Sequence, residues 1–71
     1  MEHMVFYLEG LITSTHNLIQ TKRDVVKMYE DEGTYPKPPA DVIQSVRESI
    51  NPLLIRLEWL ESKLEEVKKS L

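Results

Sequence analysis

Glu58, Glu61 and Glu65 recur three and four residues apart, so on a helix they form one acidic strip. Carboxylates grouped this way can hold a di-metal centre inside a helical bundle. That chemistry needs inward-facing glutamates and a Glu-x-x-His motif, which the chain lacks. The strip therefore reads as a solvated face, with Glu65 and Lys69 spaced for an i, i+4 ion pair. The two histidines, His3 and His16, have neither a cysteine nor a second nearby ligand to complete a zinc site. No serine sits in a nucleophile motif, cysteine is absent, and no glycine-rich loop is present to cradle a phosphate. The expectation is a protein that is not an enzyme, with no catalytic residue, no cofactor and no metal.

Binding chemistry is better represented. Pro52, Ile55 and Trp59 are three and four apart, hence on one helical face, with Leu54 beside them. Exposed apolar groups of this size mark interaction sites, and tryptophan is the residue type most enriched in binding hot spots. Ile55 and Trp59 are the first candidates for partner contact, followed by Phe6, Tyr7 and Leu54. Nucleic acid is not the expected partner. Net charge is −3, and acidic residues are interspersed among Lys22, Arg23, Lys27, Arg47, Arg56 and Lys63. A dimeric helical hairpin is nonetheless similar in architecture to the small plasmid copy-control RNA-binding proteins, so an RNA- or DNA-binding regulator is the alternative. That likeness is one of fold alone, with no matching motif.

The elements that must position these residues are helices. The 71 residues form at most one domain and, without cysteine, cannot be stapled by disulfides. Association with another chain is the remaining supplement to a small core. No apolar run reaches the length of a membrane span, and the amino terminus lacks the pattern of a signal peptide, so a cytoplasmic protein is expected.

Ile43, Val46, Ile50, Leu53, Leu57, Leu60, Leu64, Val67 and Leu71 alternate steps of three and four, which is the seam of a long helix lying against another. This helix is expected over about 41–70. Asp41 and Gln44 are spaced for a capping box at its start. Within it, Pro52 either kinks one continuous helix by removing the bond to the carbonyl of Glu48, or follows Asn51 as the cap of a fresh helix. The heptad phase does not shift across the proline, which favours the kink.

An earlier helix is expected over about 4–31. Its apolar residues come as doublets, Met4-Val5, Leu11-Ile12, Leu18-Ile19 and Val25-Val26, with Leu8, Thr15, Lys22 and Tyr29 in a second row. The stripe is wider than one partner helix requires. Gly33 is placed to end this helix as a left-handed cap, and Thr34 to Pro39 form a stiff, proline-rich connector over 33–39. A connector this short folds the helices back antiparallel. Lys22 then faces Glu48, Ile50 and Asn51, and Thr15 faces Leu57. Lys22 either interrupts the core and sets register or snorkels to solvent.

The expected architecture is therefore an all-α antiparallel two-helix hairpin that dimerises into a four-helix bundle. Its oligomer core would comprise Leu11, Ile12, Leu18, Ile19, Ile50, Leu53, Leu57, Leu60 and Leu64. The expected function is that of a small regulatory or adaptor protein, such as a phage or mobile-element accessory, that works by binding itself and a second protein; beside the nucleic-acid-binding alternative, a purely structural oligomerisation module is the second alternative.

Overall fold

The structure, a computed structural model, describes residues 2–31, 33 and 36–71. The described residues are helical apart from turns, with α1 at Glu2–Glu30, α2 at Ala40–Glu48 and α3 at Ile50–Lys69. Two arms lie side by side in a body of 52 × 16 × 12 Å. One arm is α1, and the other is α2 continued by α3. The arms are antiparallel: Glu30 pairs with Arg47, Lys22 bonds Ser49 and His16 lies beside Glu61, so numbers rise on one arm as they fall on the other.

The core is a single file of side chains between the arms. Leu8, Ile19 and Val26 are buried from α1, and Ile50, Leu57 and Leu60 from α3. Ile19, Ile50 and Leu57 pack together with Ile12 and Leu53 against them. Thr15 is buried in the same file, and its Oγ1 donates to the carbonyl oxygen of Leu11 at 2.7 Å. A threonine there costs nothing in unsatisfied polarity, because the hydroxyl turns back onto its own helix. The seam ends at Val67, since Leu71 lies beyond α3 and is exposed.

Four local expectations are corrected. The Asp41–Gln44 capping box does not form. Pro39, at φ −58° and ψ 151°, is the N-cap, and its carbonyl accepts from the backbone N–H of Val42 and Ile43. The fixed φ of proline prearranges that geometry one residue ahead of Ala40, which puts Asp41 inside the first turn. The Gln44 side chain instead donates to Glu48 Oε1 at 3.1 Å. Gly33 does not directly cap α1, which ends at Glu30, three residues before it. The chain leaves α1 through an Asx turn in which the Gly33 N–H donates to Asp31 Oδ1 at 3.0 Å. Residues 36–39 are non-helical as expected, while Thr34 and Tyr35 lie outside the described residues. Lys37 reaches back to the Glu30 carbonyl, covering one of the open acceptors at the end of α1.

The third and fourth corrections concern the proline. The second helix is interrupted, but Asn51 is not its cap and Pro52 is not its first residue. The break falls at Ser49, which stays right-handed at φ −67° and ψ −11° and keeps its N–H bonded to the Ser45 carbonyl. Pro52 cannot donate to Glu48, and its ring crowds that carbonyl, so the ladder slackens one turn upstream of the proline. Pro52 thereby becomes the third residue of α3, where helix N–H groups have no internal partner in any case. The polar expectation for Lys22 is met at this point, with a different partner. Its Nζ donates to Ser49 Oγ at 3.0 Å, and that hydroxyl in turn donates to the Val46 carbonyl at 2.6 Å.

Candidate functional site

The doublets of α1 are divided by the hairpin. The second member of each goes inward: Ile19 and Val26 are buried, and Val5 and Ile12 are half-buried. The first members form a row on one flank, where Met4 and Leu18 are exposed and Leu11 and Val25 half-buried. Residues seven apart stay in line on a helix, so this row runs the length of α1.

The two flanks of the hairpin differ in chemistry. One is bridged by polar groups, with Glu30 paired to Arg47 and His16 Nε2 lying 3.8 Å from Glu61 Oε1. The other opens into an apolar groove of about 410 Å³ towards the end of the hairpin formed by the start of α1 and the end of α3. Met4, Tyr7 and Leu11 of α1 form one wall, and Trp59, Lys63 and Val67 of α3 the other, over a floor of Leu8 and Leu60. The Lys63 ammonium stands 5.7 Å from the centre of the Trp59 ring, within cation–π range. This contact holds the indole at the mouth of the groove while leaving it 57 % exposed. Such a groove offers mostly apolar contact, with the Lys63 ammonium as its one cation.

The five residues expected to contact a partner are thus not one patch. The fold brings Tyr7 and Trp59 together across the groove from opposite arms. Ile55 is 70 % exposed and Phe6 76 %, and neither lines the groove. Leu54 is exposed as well and does not line the groove either. Of the residues expected in an oligomer core, Ile19, Ile50, Leu57 and Leu60 are already buried within one hairpin. Leu11, Ile12, Leu53 and Leu64 are half-buried, and Leu18 is exposed. Met4, Lys63 and Val67 were read from the sequence as doublet, basic and seam residues, not as part of a contact site. The heptad row of Met4 with Leu11 and the four-residue step from Trp59 to Lys63 were the signals available for two of them.

The ionisable groups are arranged as salt-bridged surface. Glu65 pairs with Lys69 at 3.5 Å, and Lys63 with Glu66 at 3.4 Å. Among the described residues, no three of His, Asp and Glu converge into a group that could hold a metal ion. None of the helices is long and apolar enough to cross a membrane, again among the described residues. No family model matches this chain, and no curated protein and no solved structure shows significant similarity to it.

Proposed function

We propose that the chain is a non-enzymatic protein-binding module, a small regulatory or adaptor protein that assembles as a homodimeric four-helix bundle and docks on a second protein. The observation that carries this reading is the open apolar flank. An 8.3 kDa hairpin leaves a tryptophan, a tyrosine and a row of aliphatic side chains exposed on one side, while the other carries the Glu30–Arg47 ion pair and the His16–Glu61 contact. Apolar surface of that kind is the mark of an interface, and Tyr7 and Trp59 are the residue types that dominate binding energy. Ile55 and Phe6, exposed away from the groove, would remain accessible to a second protein once the flank is covered. A cytoplasmic accessory role of the phage or mobile-element kind suits a chain of this size.

The RNA- or DNA-binding alternative has less support. Of the six basic candidates, Arg47 pairs with Glu30, Lys22 bonds Ser49, and Lys63 is shared between Glu66 and the Trp59 ring. The test of the main reading is Trp59→Ala, which removes an exposed side chain outside the buried core and should leave helix content unchanged. Solution mass by light scattering over a dilution series, together with recovery of bound protein by the tagged chain, should both be compared with the parent. Loss of either supports the reading. Retention of both, on a folded variant, sinks it.

A further inference from the structure

The flank of α1 carries a second heptad seam. Tyr7, Leu11, Ser14, Leu18, Thr21 and Val25 alternate steps of four and three, the pattern of a helix face made to receive another helix. None of the six carries a formal charge at neutral pH, and all are exposed or half-buried in the single chain. We propose that this row is the contact between two copies, in which α1 packs antiparallel on α1 of the other chain with the crossing point between Ser14 and Leu18. This deepens the homodimer reading and rests on it by naming the helix face through which two copies meet and the direction in which they pack.

Two observations choose that occupant. The first is self-complementarity. Turned end for end about a point between Ser14 and Leu18, the row sets Tyr7 against Val25, Leu11 against Thr21 and Ser14 against Leu18. Every pair then joins a larger side chain to a smaller one, so knobs meet holes. A parallel copy would stack leucine on leucine and hydroxyl on hydroxyl. The second is area. The chain exposes 5501 Å². A folded monomer of 8.3 kDa is expected to expose roughly 4,600 Å². The excess is close to the roughly 800 Å² that each partner buries in a standard interface. On the α3 side the same flank holds Lys63, and Arg56 seven residues before it, which like-charged copies would repel. The contact accordingly centres on α1.

Because the chain has no cysteine, the seam can be read by cross-linking. Leu11→Cys and Thr21→Cys variants are prepared separately, checked for helicity by circular dichroism, and oxidised alone and as a mixture. The proposal requires a disulfide-linked dimer in the mixture and little in either variant alone, since Leu11 and Leu11 of two antiparallel copies lie about 15 Å apart along the axis. Ser14→Glu, an exposed change that the single hairpin tolerates, should weaken dimerisation about tenfold or more. A chain that stays monomeric at high micromolar concentration overturns the proposal. So does a dimer that cross-links within one variant alone, or one that is indifferent to Ser14→Glu. A chain that stays monomeric also removes the homodimer from the function proposed above, whereas docking of a second protein through Trp59 stands or falls on its own test.

Discussion

Leu60 is the most deeply buried side chain of the hairpin, 2 % exposed, whereas Ile55, one turn and a fraction earlier, is 70 % exposed. Truncating each to alanine removes similar apolar bulk from opposite environments. For Leu60→Ala the expected loss is that of a buried leucine, about 2–5 kcal/mol, composed of the transfer term and the cavity left behind. Leu60 forms part of the groove floor, so solvent can reach the vacated space and the cost falls towards the lower end, about 2–3 kcal/mol. A domain of 71 residues has a total stability of about 4–10 kcal/mol. Leu60→Ala therefore removes a large fraction of it. Ile55→Ala should stay within about 0.5 kcal/mol, as surface changes do. Urea unfolding followed by circular dichroism, at two protein concentrations tenfold apart, measures both. A Leu60→Ala loss below about 1 kcal/mol would refute the placement of the core. An Ile55→Ala loss above about 1 kcal/mol that vanishes on dilution would show instead that Ile55 is buried by a second chain.

Gly10→Ala should stabilise α1 by up to about 1 kcal/mol, since the added methyl meets nothing within 4 Å, and thermal unfolding would show it as a raised Tm. Thr15→Val, which replaces a hydroxyl that only turns back to Leu11, should raise stability by about 0.5–1 kcal/mol in the same urea titration. Ser49→Ala deprives the half-buried Lys22 ammonium of its acceptor and should cost about 1 kcal/mol. Arg47→Ala breaks an ion pair that is about half exposed on both sides, so the loss should be under about 1 kcal/mol and shrink further in high salt.

The seam from Ile43 to Val67 was legible in the sequence because the heptad phase is unbroken, and a short connector leaves only the antiparallel return. Register followed from the same two facts: Lys22 meets Ser49, within a residue of the expected Glu48. What the sequence could not decide was how far α1 turns about its own axis. Both members of each doublet are aliphatic, and only the position of the other arm determines which goes inward. That rotation separates Tyr7 and Trp59, which line one groove, from Phe6 and Ile55, which do not. The capping box failed for a different reason. Two signals competed over adjacent residues, and the rigid φ of Pro39 prevailed over a side-chain hydrogen bond worth about 1 kcal/mol.

The break at Ser49 divides the second arm unequally, and the two parts differ in how long they stay closed. α2 has nine residues and no fully buried side chain, whereas α3 has twenty and carries half the core. A helix of nine residues is below the length at which helices persist alone in water, roughly 12–15 residues. Its lifetime therefore depends on Ile43 and Val46 resting on α1 and on the bonds at Ser49 and Arg47. Local opening of α2 costs only those contacts, while opening of α3 costs the whole molecule. Amide protons of residues 42–48 should consequently exchange with solvent on their own, faster clock, and a protease should find its first cleavage site between the connector and Ser49 with α1 and α3 still clasped.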